Sequence, residues 1–274
     1  MLWWLLACAS KPSPVAPPPV PTPADVAFDA WAPGLEVARI DAPFRSRAGD
    51  SVLTVVRVDP TSWAFSWHDH RTGGDSRTTR AWARDEGLTL AVNGGMYDTD
   101  YATHVGALRA GALVDPPNAY ESVAVFERRP GQPASVPHFR IVDLDAGGDL
   151  DALTDQHAVV VQNLRFVKHD RENRWSKQEK RWSEAALAED DRGRALFVYA
   201  TSPYDMWTFN EMLLTLPLGV VAAQHLDGGP PASLYLRHGE RKLELFGTHE
   251  AGIADGNAVS QDLPFVLGVR PREP

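Results

Sequence analysis

Leu88-Thr89-Leu90-Ala91-Val92-Asn93-Gly94-Gly95 is an apolar run that passes without a break into an amide side chain and paired glycines. A run apolar on both faces implies a central strand. The C-terminal ends of central strands are where ligands gather. Paired glycines let the backbone approach a ligand closely and present its amides as donors. Taken alone, Asn93-Gly94 reads equally well as a tight turn, a step that Asn-Gly favours. The arrangement recurs, however. Residues 158–161 form an apolar strand ending at Gln162-Asn163, and residues 220–226 form another that delivers Asp227-Gly228-Gly229. Three strand ends carrying Asn93, Gln162 and Asp227, two of them with paired glycines, suggest one shared site.

Strand patterns also occupy residues 35–40, 51–59 and 63–67, with shorter ones at 106–109, 122–127 and 138–143. Further strands are expected at 183–187 and 196–200, across the turn Asp190-Asp191-Arg192-Gly193, and at 265–269. Residues 78–86 read as a helix capped by Thr78 or Thr79 and ended by Gly87. Residues 208–216 read as a second, with Thr208 and Glu211 at capping-box spacing. Residues 167–180 are charged and polar, as in an exposed excursion. Helices and strands interleave irregularly, and hairpin-like pairs are many. This predicts an α+β (mixed α/β) fold, with a mixed β-sheet core and a few flanking helices in one domain spanning residues 25–274.

Residues 1–24 differ in character. Leu5-Leu6-Ala7-Cys8 resembles a bacterial lipobox, and the Pro-crowded stretch at 11–23 reads as an extended tether. The apolar run before Cys8 is short, and no Lys or Arg precedes it. The expectation is export as a periplasmic or outer-membrane lipoprotein with lipid on Cys8, the membrane being touched only through that anchor. Cys8 is the single cysteine, so no internal disulfide exists and the fold must hold by its core. A net charge of -9 argues against nucleic acid or an anionic membrane surface as partner. It leaves room for a phosphorylated substrate met by a local cluster of Arg and amide donors.

The motifs Val92-Asn93-Gly94-Gly95-Met96-Tyr97-Asp98, Val161-Gln162-Asn163-Leu164-Arg165-Phe166-Val167, Arg181-Trp182-Ser183 and Leu226-Asp227-Gly228-Gly229 follow in order, with Leu263-Pro264-Phe265-Val266-Leu267-Gly268-Val269 near the end. In order and spacing they resemble the phosphodiester glycosidase family, over roughly residues 85–270. The resemblance implies a hydrolase acting on a carbohydrate phosphodiester, a sugar linked through its anomeric carbon to a phosphodiester. It also carries one departure: small hydroxyl residues often follow the family's Asp-Gly-Gly, whereas Pro230-Pro231-Ala232 intervene here before Ser233.

Most glycosidases need two carboxyl groups. A phosphate is already a competent leaving group, so one carboxylate near the anomeric carbon and donors on the departing phosphate suffice. Asp227 is the expected carboxylate. Arg181 is the expected phosphate ligand, because guanidinium meets phosphate oxygens two at a time. The amides of Gly94, Gly95, Gly228 and Gly229 would assist, Asn93 and Gln162 would read hydroxyls, and Ser233 would stand in for the missing hydroxyl residues. His225, two positions before Asp227, is a further candidate, although a buried, satisfied histidine explains it as well. No cofactor is expected. Asp98-Thr99-Asp100 has the chemistry of a Ca2+ or Mg2+ site beside a phosphate, but a polar loop accounts for it equally, and no metal is assigned. His68-Asp69-His70 reads as a solvated loop. The rival reading is a non-catalytic envelope glycan-binding protein that keeps the fold without the reaction, for which residues 230–232 are the main support.

Overall fold

The computed structural model describes residues 26–254 and 258–273. Cys8, the lipobox and the Pro-rich tether lie outside the described residues.

The apolar runs assemble into three sheets, and every ladder between described strands is antiparallel. The largest has eight strands in the order Asp29–Ala32, Leu35–Asp41, Val52–Val58, Ala195–Tyr204, Trp182–Asp190, Val220–Gly228, Arg165–Lys168 and Glu172–Asn173. A second, of five strands, centres on His157–Asn163, which lies between Leu108–Ala110 and Ser122–Arg128. A third, also of five, centres on Leu90–Asn93, flanked by Ser233–His238 and Phe265–Pro271. All three are held by one core in which Phe65, Leu90, Phe126, Val161, Leu187 and Phe197 are buried together. The apolar strands are therefore buried on both faces, as their sequences require.

Each principal helix covers the outer face of one sheet. Met206–Thr215 packs Phe209, Met212 and Leu213 onto the eight-stranded sheet. Thr79–Asp85 lays Trp82 and Ala83 on the third sheet, and Leu150–Gln156 lies on the second. The architecture is α+β, with a mostly β core and short peripheral helices. Among the described residues no helix is long and apolar enough to cross a membrane.

Three local expectations change. The helix expected from Thr208 begins at Met206, because Asp205 caps it and accepts from the Thr208 amide at 3.1 Å and hydroxyl at 2.7 Å. Glu211 does not close a capping box; it accepts from the Asn173 amide at 2.7 Å. The expected excursion at 167–180 starts inside the sheet, with Phe166 and Val167 fully buried. Asp69 of the His68-Asp69-His70 run is likewise buried, at the end of the strand Trp63–Asp69, and pairs with Arg71 at 2.7 Å.

Candidate active site

The last turn of the strand Val220–Gly228 is irregular. Its pairing with Trp182–Asp190 runs from Ala186 opposite His225 to Glu184 opposite Gly228, so the Val220–Gly228 strand carries one extra residue there. Such a bulge re-aims side chains and bends the strand. Within it Asp227 adopts φ +91, a left-handed backbone that a non-glycine residue rarely holds. Its carboxylate accepts from the following Gly228 amide at 2.8 Å. Burial raises the Asp227 carboxyl from 3.8 to about 6, against a lowering pull from His225 and the Gly228 amide and a further push from Glu184.

Asn93 builds this turn. Its amide nitrogen donates to the Leu226 carbonyl, and its oxygen accepts from the Ser233 amide at 3.2 Å. With its side chain buried and both ends engaged, Asn93 joins the third sheet to the Asp227 bulge and is not exposed to read a sugar hydroxyl. Gln162 is engaged more fully. Its oxygen accepts from Ala107 and Asn118, both at 2.9 Å, and its nitrogen donates to the Asn118 and Tyr120 carbonyls. It clamps the segment 107–120 in a different sheet from Asp227 and, saturated and 1% exposed, has nothing left for a ligand. Ser233 is buried as well, its hydroxyl turned back to the Pro231 carbonyl at 3.4 Å. The proline-rich departure is absorbed by a turn in which Ala232 donates to Gly229 at 3.1 Å.

The glycines serve close approach more than donation. A Cβ at Gly228 would overlap the Trp182 indole, one at Gly94 the Trp67 ring, and one at Gly95 the Asn163 oxygen. The Gly228 amide is engaged by Asp227, and the Gly229 amide by the Ser183 carbonyl at 2.8 Å. Those two amides are therefore not free donors.

Arg181 points into the protein and not into bulk solvent. Its side chain is 22% exposed, its Nη2 lies 4.0 Å from Asp205, and its buried Nε has no protein partner. Asp205, and not Asp227, is the one carboxylate within 4 Å of it among the described residues. Asp98 and Asp100 are engaged in their own turn, Asp98 accepting from Thr99 at 2.6 Å and Asp100 from Ala102 and Thr103 at 2.9 Å each. Among the described residues no group of three or more His, Cys, Asp or Glu side chains is arranged to hold a metal.

Two features go beyond the sequence expectations. Glu184, on the central strand of the large sheet, is fully buried with both carboxyl oxygens unpartnered by protein. His225 Nδ1 is 3.4 Å away and also unpartnered, as is the Trp182 indole nitrogen, so His225 is buried but not satisfied. Tyr97 and Tyr101 form the other, with ring centroids 5.5 Å apart. Burial and the Asp227 charge push the Tyr97 hydroxyl up to about 12, and it accepts from Gln261 at 2.7 Å. Tyr101 is 62% exposed, leaving an open aromatic face. The signal for Glu184 was a lone carboxylate in the run Ser183-Glu184-Ala185-Ala186-Leu187-Ala188. A charged group in an otherwise small and apolar strand is costly to bury without purpose.

The sequence model of the phosphodiester glycosidase family matches residues 86–269. Among solved structures, the catalytic domain of zebrafish N-acetylglucosamine-1-phosphodiester alpha-N-acetylglucosaminidase, auto-inhibited by its pro-peptide, is similar at a TM-score of 0.60 and 14% identity, covering 91% of this chain and 87% of that one. A hypothetical protein from Synechocystis is similar at a TM-score of 0.55 and 14% identity, covering 94% of this chain and 64% of that one. At these identities the likeness is one of fold. A search of curated protein sequences gave no match.

Proposed function

We propose that this chain, which belongs to the phosphodiester glycosidase family, is an exported hydrolase that cleaves sugar 1-phosphodiesters at the anomeric carbon. The observation that carries this reading is Asp227, a carboxylate set in a strained bulge at a sheet end, with its ionisation drawn toward neutral pH by burial. Strained backbone and perturbed carboxyls gather where chemistry is done. Asp227 acts at the anomeric carbon, as nucleophile or as base for water. Arg181 takes the departing phosphate; its unpartnered nitrogen and proximity to Asp205 leave the guanidinium oriented but not neutralised at close range. The exposed Tyr101 face, beside Tyr97, offers a stacking surface for the sugar.

The test uses N-acetylglucosamine 1-(methyl phosphate) and glucose 1-(methyl phosphate) as probes. Wild type should release free sugar from at least one, and Asp227→Asn from neither. Binding of the probes by wild type without turnover would favour the glycan-binding rival; release of methanol with sugar 1-phosphate retained would make the protein a phosphodiesterase. Export with lipid on Cys8 is part of the proposal. A fatty-acid analogue should label wild type and not Cys8→Ala, and cytoplasmic retention of wild type would contradict it.

A further inference from the structure

Glu184, His225 and Asp227 form a series in which each group lies within electrostatic reach of the next. Glu184 comes from the central strand Trp182–Asp190, His225 and Asp227 from its neighbour Val220–Gly228. The other groups facing Glu184 are Asp205, at the cap of the helix Met206–Thr215, and the Trp182 indole; Arg181 approaches Asp205 from the margin. No cation neutralises Glu184 among the described residues, since His225 is its one basic neighbour within 4 Å. Burial holds the Glu184 carboxyl well above its ordinary range and lowers His225 to about 4, so for both groups the buried site favours the uncharged form.

We propose, resting on the glycosidase reading above, that Glu184 is a positioning residue whose protonated carboxyl donates to Nδ1 of His225. That bond fixes the imidazole in the tautomer with its proton on Nε2, and keeps Asp227 the sole negative charge among the three. The 3.4 Å separation is at the long end of hydrogen-bond range, so the bond needs only a small approach of the two side chains. The arrangement suits an anionic substrate. An ionised Glu184 would repel the departing phosphate and claim the proton of His225 on the wrong nitrogen. Activity should therefore fall as pH rises through the ionisation of Glu184.

Two measurements test this. In the first, kcat/KM for whichever methyl phosphodiester probe turns over is followed against pH. Glu184→Gln, whose amide still donates to Nδ1, should stay within about threefold of wild type near neutrality and lose the alkaline limb, whereas Glu184→Ala should fall by about tenfold or more. An unchanged alkaline limb in Glu184→Gln would overturn the proposal. In the second, nitrogen-15 NMR of the histidine rings, with His225 assigned by its absence in His225→Asn, reads the tautomer directly. Wild type and Glu184→Gln should show the Nε2–H form at neutral pH, and Glu184→Leu a shift toward a mixture. An Nδ1–H form or an imidazolium in wild type would refute the proposal. This second measurement decides even if neither probe is cleaved, so failure of the glycosidase reading and failure of the Glu184 assignment are told apart.

Discussion

Asp227 combines a left-handed backbone with a carboxylate that burial disfavours in its charged form. Both features cost stability, and both point to the same substitution. Asp227→Asn keeps the shape, suits φ > 0 better and removes the charge. We expect it to abolish turnover through kcat with little change in probe binding, while stabilising the fold at pH 8 by on the order of 1–3 kcal/mol. The sign follows from linkage. The folded pKa, about 6, lies above the ordinary 3.8, so the cost of ionisation is fully present above 6 and is relieved as pH falls toward 3.8. The part of the Asn variant's stabilisation that comes from removing the charge, read by denaturant unfolding, should therefore vanish below about pH 4, leaving only the pH-independent gain at φ > 0. Wild-type kcat/KM should rise with pH through about 6, because the reaction needs the carboxylate. An acid limb well below this would place the active carboxylate elsewhere. Asp227 was legible because a strand end followed by paired glycines is a local pattern. Glu184 was signalled only by a lone carboxylate in a small, apolar run, because its burial comes from strands on both sides that are distant in sequence. Asn93 and Gln162 were expected from the same strand-end pattern to read sugar hydroxyls, yet which of their atoms face backbone is decided by segments 107–120 and 226–233.

At the level of elements, the helix Met206–Thr215 and the margin of the site share Asp205. One of its oxygens caps the helix through the Thr208 amide, and the other lies between the Thr208 hydroxyl and Arg181. Asp205→Asn retains a capping oxygen and loses the charge; Asp205→Ala loses both. The first should leave thermal stability nearly unchanged and alter KM for the methyl phosphodiester probe. The second should also lower stability by about 1 kcal/mol, the usual worth of a cap. Equal KM in wild type and both variants would remove Asp205 from any role in setting Arg181. The start of this helix was misread because Thr208-x-x-Glu211 matches a cap locally, while Asp205-x-x-Thr208 just upstream satisfies the same donors first. The hairpin of Ser233–His238 and Arg241–Phe246 went unexpected for a related reason. Each arm carries only two leucines on its apolar phase, Leu234 and Leu236 in one and Leu243 and Leu245 in the other, a run too short to stand out, although Gly239 supplies the positive φ its turn needs.

Across the whole molecule, three sheets converge on one core, and the site lies where two of them meet: Asn93 from one sheet holds the strand of another that carries Asp227. The α+β class followed from irregular alternation of elements, but the division into three sheets depends on which strands pair over long range, and periodicity does not encode that. The net charge of -9 leaves an anionic substrate to be held locally, and on the proposed reading Arg181 and the stacking face of Tyr101 would carry a large share of binding. Tyr101→Ala should raise KM several-fold, within the roughly 1–3 kcal/mol span of an aromatic stacking contact, and leave unfolding free energy nearly unchanged because the ring is exposed. Tyr101→Trp should restore binding. If Tyr101→Ala leaves KM where it was, the sugar stacks elsewhere. The central claim is the bond that breaks, and hydrolysis of a sugar 1-phosphodiester probe in 18O-labelled water addresses it. Cleavage at the anomeric carbon places the label in the released sugar and none in the methyl phosphate; label recovered in phosphate would establish attack at phosphorus and contradict the account.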